Sequence, residues 1–159
     1  MQNGRTCGTC TECCKTHPVS ELKKRAGKWC QFRVKEQGCR IYEERPKGCV
    51  EFECQWLKGH GAESDRPDLT GIVIDFFPLK VVGASMILLE GRHGTCAGEY
   101  GKALSAHYID LAFPVLQRLL SGKEILLVPQ TLHIPPERLK PLANDRRRVL
   151  IVEARSESP

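Results

Sequence analysis

The sequence predicts an α+β protein in which a metal-stabilised, loop-rich cysteine segment packs on a small ββαββ unit. Three observations carry that expectation. Eight of the nine cysteines fall between Cys7 and Cys54. Residues 1–60 are rich in Cys, Lys, Gly and Glu and poor in aliphatic side chains, so they lack the apolar surface for a core of their own. Residues 69–155 carry the β-branched and apolar runs of an ordinary small domain. With 159 residues, 41% of them hydrophobic, the chain has room for one compact domain, or one domain plus a small module.

The elements follow in chain order. Ser20 is placed to cap a short helix over Glu21–Lys28, with Glu21 in the first turn where the helix dipole favours an acid. Ile41–Arg45 predicts a single turn that stops before Pro46. Lys58–Asp68 (KGHGAESDRPD) is polar, with two glycines and a proline, and reads as a linker or exposed loop. Gly71–Phe77 and Val81–Glu90 predict two strands, separated by Pro78-Leu79-Lys80 as in a hairpin. Leu104–Leu120 has apolar residues at 104, 108, 111, 112, 115, 116, 119 and 120, the stripe of a helix kinked at Pro114 and stopped at Ser121-Gly122. Glu124–Val128 and Arg148–Glu153 predict the last two strands, joined through Pro135-Pro136 and a short turn. The chain therefore divides into a cysteine-cluster segment (1–60), a small α+β unit (61–155) and a disordered tail (156–159).

Composition excludes several classes. No apolar run reaches the roughly 20 residues that a membrane-spanning helix needs. Met1 to Arg5 lead straight into cysteines with no apolar leader, which predicts a cytoplasmic, reducing location. Clustered thiols in such a compartment hold metal more often than they form disulfides, and an odd total fits a disulfide framework poorly. Residues 1–60 hold 12 Lys and Arg against 7 Asp and Glu, whereas residues 61–159 hold 12 of each. A basic segment invites a nucleic-acid reading. Few aromatics are interleaved with those cations, however, and thiolates bound to metal carry the negative charge that the surplus would offset. A protein partner is the expected one, rather than nucleic acid or membrane.

The chemistry sits in Cys7-Gly-Thr-Cys10-Thr-Glu-Cys13-Cys14, a C-x2-C-x2-C-C run. Two residues between thiols let a tight turn aim both sulfurs at one metal. Bacterial ferredoxins hold three corners of a [4Fe–4S] cluster in this way, with a remote proline-flanked cysteine as the fourth. Cys49, in Arg45-Pro46-Lys-Gly-Cys49, is such a candidate. Zinc also accepts four thiolates, and spacing alone does not separate the metals. With Cys30, Cys39 and Cys54 the segment has eight thiols, enough for one or two four-thiolate sites. The adjacent Cys13 and Cys14 point in different directions, so if both bind they serve two metals or two edges of one cluster. An iron–sulfur cluster of the 4Fe-4S type is the favoured expectation and zinc the alternative.

Together with Cys39-Arg-Ile-Tyr42-Glu-Glu-Arg45-Pro46-Lys-Gly-Cys49 and Phe52-Glu-Cys54, this run resembles the CxxCxxCC family. That family is described as a zinc- or iron-chelating domain, and flagellin lysine N-methylase carries a related module. The resemblance covers roughly residues 7–56. It implies metal ligation by Cys7, Cys10, Cys13, Cys14, Cys30, Cys39, Cys49 and Cys54, and no particular reaction. Arg45 has the chemistry to donate to a thiolate and offset cluster charge. Tyr42 and Pro46 are read as structural.

Little else carries chemistry. The C-x3-C-x2-C pattern of radical S-adenosylmethionine enzymes fails at its third position, where His17 stands. GxGxxG and GxxxxGK[ST] loops are absent. Gly91–Gly101 joins a strand to the helix, where free amides can hold an anion, and Gly91, Arg92, His93 and Gly94 are the cofactor-binding candidates. The plainer reading is a strand-to-helix turn with Cys96 as a small buried thiol. The sequence thus predicts a cytoplasmic metalloprotein with an electron-transfer, redox-sensing or accessory role. The alternatives are a zinc-stapled interaction module and a small-ligand-binding or methyltransferase-related component.

Overall fold

The computed structural model describes residues 4–135, 137 and 149–154. Within them the protein has both helices and strands in an α+β arrangement. The cysteine-rich segment holds only short pieces: α1 (Cys13–Thr16), an antiparallel hairpin of β1 (Arg33–Val34) and β2 (Gly38–Cys39), and α2 (Lys47–Glu51). The expected helix over Glu21–Lys28 is instead one 3-10 turn, Ser20–Leu22, closed by Lys23 at φ 51°. Tertiary pairing overrides helical propensity here. The Lys24 ammonium turns inward to the carbonyls of His17 and Lys15, and the Gly27 amide bonds to the Lys15 carbonyl at 2.8 Å. Ile41–Arg45 contributes a turn with the Glu44 amide on the Ile41 carbonyl. The helix forms after Pro46, where a proline's missing donor is no loss.

The stretch expected to be a linker is exposed but anchored. The Trp56 indole donates to the Ala62 carbonyl at 3.0 Å, and Arg5 donates to the carbonyls of His60 and Gly61. A 3-10 turn (Glu63–Asp65) and α3 (Pro67–Thr70) lead into the sheet.

β3 (Ile72–Leu79) and β4 (Gly83–Glu90) form the expected hairpin, with Ile72 opposite Glu90 and Leu79 opposite Gly83. α4 (Glu99–Asp110) then crosses to β5 (Val115–Arg118), which pairs parallel to β4. β6 (Glu124–Pro129) returns antiparallel to β5, and β7 (Val149–Ala154) pairs parallel to β6. The sheet order is β3-β4-β5-β6-β7 and the sequence order ββαβββ, one strand more than the expected ββαββ. The correction falls on Leu104–Leu120. The helix ends early because Ala112 adopts φ 62° and Pro114 has no amide to continue it. Pro114's carbonyl instead accepts the Met86 amide at 2.9 Å, which starts β5. Ser121-Gly122 turns the β5–β6 hairpin rather than stopping a helix, with the Leu119 carbonyl accepting the Gly122 amide. A short turn between the last two strands would make them antiparallel; their parallel pairing requires a crossover connection. The expectations for Pro136, Arg148 and the 156–159 tail lie outside the described residues.

The sheet buries both faces. Ile72, Ile74, Met86, Leu88 and Val115 pack on one side with Ile109, Tyr100, Leu104 and Tyr108 of α4. Val73, Ile87, Leu89, Leu116, Leu126 and Val128 face the other way, where Phe52 and Cys54 of the cysteine-rich segment lie against them. That segment is therefore a third layer, across the sheet from α4. It is fastened by the Gln55 amide on the Ile74 carbonyl at 2.8 Å and by Lys15 Nζ on the Gly91 carbonyl at 2.6 Å. No helix among the described residues is long and apolar enough to cross a membrane.

Candidate metal centre

Two consecutive tight turns set the first four thiols. The Cys10 amide bonds to the Cys7 carbonyl at 2.8 Å, with Gly8 between them at φ 49°. The Cys14 amide bonds to the Thr11 carbonyl at 2.9 Å and begins α1. The first C-x2-C spacing thus becomes turn geometry, as the sequence predicts, while the second turn falls one residue later than the Cys10–Cys13 spacing. Next, the Cys30 amide bonds to the Cys14 carbonyl at 3.0 Å, and the Arg33 amide to the Cys30 carbonyl at 3.1 Å. Arg33 faces Cys39 across the β1–β2 pair. Gly38, at φ 108°, lies where a Cβ would stand 2.8 Å from the Gly8 carbonyl, so only glycine lets the hairpin close on the Cys7–Cys10 turn. Cys49 sits in α2, whose Gly48 amide is held at 3.0 Å by the Glu21 carboxylate.

All eight cysteines from Cys7 to Cys54 line one cavity of about 170 Å³. Its walls are largely apolar, with Phe52, Trp56, Leu57 and Ile41 around the thiols and Val73 of β3 among the lining residues. All nine thiols are free of disulfides. Among the described residues, no group of three or more His, Cys, Asp or Glu side chains is already placed to hold a metal ion. Cys96 is not part of this cavity lining; it is fully buried in the core beside α4, where desolvation pushes its thiol up to about 12.

Burial governs four of the cavity thiols. It raises Cys10 to about 12 and raises Cys39, Cys49 and Cys54 above their ordinary value. Cys14 departs in the other direction, to about 7. The hydrogen bond shared with Cys13 is the main cause, and the charges of Lys24, Arg33 and Arg45 add to it. The same shared bond raises Cys13. Arg45 lies with its guanidinium 3.5 Å over the Tyr42 ring, and its Nε is buried with no hydrogen-bond partner among the described residues. An unpaired buried donor is costly, and this one belongs to a residue lining the thiol cavity. Arg33 stacks over Trp29 at 3.8 Å and donates to Thr11 at 3.2 Å.

His17 also lines the cavity but is engaged elsewhere. Its Nδ1 meets Thr16 Oγ1 at 3.0 Å, its Nε2 lies 3.9 Å from Asp75, and its ring packs on Phe52. The Gly91–Gly94 loop has its amides bonded internally. Gly91 donates to the Gly71 carbonyl at 2.8 Å and Gly94 to the Glu90 carboxylate at 2.7 Å. Arg92 donates to the Leu69 carbonyl. Glu90, buried, also accepts the Leu120 amide at 2.8 Å, so a carboxylate of the protein occupies the place an anion would take. Sequence reasoning missed Lys24, Arg33 and Val73, because their relation to the thiols arises from chain crossings rather than spacing.

Set against protein-family models, curated proteins and solved structures, the chain matches none.

Proposed function

We propose that this chain is a cytoplasmic iron–sulfur protein of the CxxCxxCC kind, acting in electron transfer, redox sensing or support of a partner enzyme. The observation that carries this reading is the single cavity lined by eight thiols. Four thiolates on one zinc ion, each at about 2.3 Å, draw together to a point. A polynuclear cluster sits between its thiolates and keeps them around its own bulk. Eight thiols around one space supply ligands enough for the second case. The unpartnered Arg45 Nε supports it further, since a cluster sulfur is an acceptor for such a donor.

When bound, a cluster supplies one-electron storage. The residues of this chain do the rest. Cys7, Cys10, Cys13, Cys14, Cys30, Cys39, Cys49 and Cys54 are the ligands. Phe52, Trp56, Leu57 and Val73 keep water out. Lys24, Arg33 and Arg45 offset thiolate charge. Protein purified without oxygen should contain iron and acid-labile sulfide in near-equal amounts and absorb broadly near about 400 nm. Zinc without sulfide would overturn the iron–sulfur reading and make the segment a closed structural staple.

A further inference from the structure

We propose that the eight thiols form two separate four-thiolate sites, Cys7, Cys10, Cys13 and Cys54 in one and Cys14, Cys30, Cys39 and Cys49 in the other, each taking its own iron–sulfur cluster. This rests on the iron–sulfur reading above for the identity of the metal, but the division itself rests on how the backbone groups the ligands.

Three ties gather the second set. The Cys30 amide bonds to the Cys14 carbonyl, the Arg33 amide to the Cys30 carbonyl, and Arg33 stands opposite Cys39 in the hairpin. Cys49 joins them through α2, which the Glu21 carboxylate holds against the 20–22 turn. The first set has its own ties. The Cys10 amide closes on Cys7. Arg5 donates to the Trp56 carbonyl at 2.9 Å and stacks on the Trp56 ring, which brings the residues just before Cys7 to the stretch after Cys54. Arg66 reaches Thr9 at 3.4 Å from the same side.

Cys13 and Cys14, neighbours in the chain whose thiols share a hydrogen bond, form the seam between the groups: Cys13 continues the C-x2-C run from Cys10, and Cys14 accepts the Cys30 amide through its carbonyl. Adjacent side chains cannot both point to one corner of a cluster, so a Cys-Cys pair is suited to being shared between two.

Metal counting on the intact, oxygen-free protein tests the division, with two paired variants beside it: Cys7→Ser with Cys10→Ser, and Cys30→Ser with Cys39→Ser. Two four-iron clusters predict about eight iron and eight sulfide per chain, falling by half in each paired variant. About four iron per chain that halves in each variant upholds the division with two-iron clusters. About four iron that vanishes in one pair and survives whole in the other means a single site, and overturns it. Two zinc ions per chain would overturn the iron–sulfur reading yet keep the division; one zinc ion would overturn both. If a variant fails to fold, the count on the unaltered chain decides by itself: two metal centres uphold the division and one overturns it. Electron paramagnetic resonance of the reduced chain counts the centres.

Discussion

A Cβ on residue 91 would stand 2.1 Å from Glu12 Oε2 and 3.1 Å from the Gly71 carbonyl. Gly91 is therefore the point at which the cysteine-rich layer closes on the sheet, with Lys15 bonded to its carbonyl. Glu12 is buried among the charges of Lys15, Arg92 and Arg33, and the Gly71 carbonyl beside it is backbone that cannot swing aside. Gly91→Ala should lower stability by about 1–3 kcal/mol, read as an earlier thermal midpoint. It should also loosen the thiol segment before the sheet, read as faster amide exchange in residues 10–16. At this scale the sequence was legible where chemistry depends on spacing. The turn at Cys7–Cys10 follows from two intervening residues, whereas the next turn closes from Thr11 to Cys14 and not from Cys10 to Cys13. Gly91 itself was read as an anion-site candidate in a strand-to-helix turn and not as a packing contact, because its partner Glu12 lies 79 positions away in the chain.

β5 is the element that sequence patterning misassigned. Val115 and Leu116 are adjacent and both buried, Val115 toward α4 and Leu116 toward the cysteine-rich layer. A strand buried on both faces reads as a continuous apolar run, and such a run continuing from α4 is indistinguishable by period from more helix. β3, β4, β6 and β7 were legible because β-branched residues and turn residues bound them, whereas the two-residue strands β1 and β2 are too short to leave a pattern. Leu116→Ala should cost about 2–4 kcal/mol, a core-strand value, measured by urea unfolding. A loss below about 1 kcal/mol would return Leu116 to the flank of a helix. The expected helix over Glu21–Lys28 fails for a different reason. The Lys24 ammonium and the Gly27 amide donate to the carbonyls of Lys15 and His17, across the layer.

For the whole molecule, the division of labour between halves was readable from composition, since one half has the apolar residues and the other the thiols. The layering was not, because it depends on Phe52 and Cys54 finding the sheet face opposite α4. This layering predicts how the protein responds to chelation. The sheet keeps a core against α4 when the thiol segment loses its proposed metal. Removing metal with a chelator should therefore deprotect amides across residues 7–54 while those of β3–β6 stay slow in hydrogen exchange. Equal loss in both halves would mean that they fold as one unit. The place of Val73 in the cavity lining has a further consequence, which concerns time. Ribosomes build chains from the amino end, so every thiol of the segment emerges before the strand it leans on. The pocket cannot close until residues 72–75 have been synthesised and paired with β4. On the proposed metal reading, loading would follow the pairing of β3 with β4, and whatever delivers the metal would meet the thiols after that hairpin has formed.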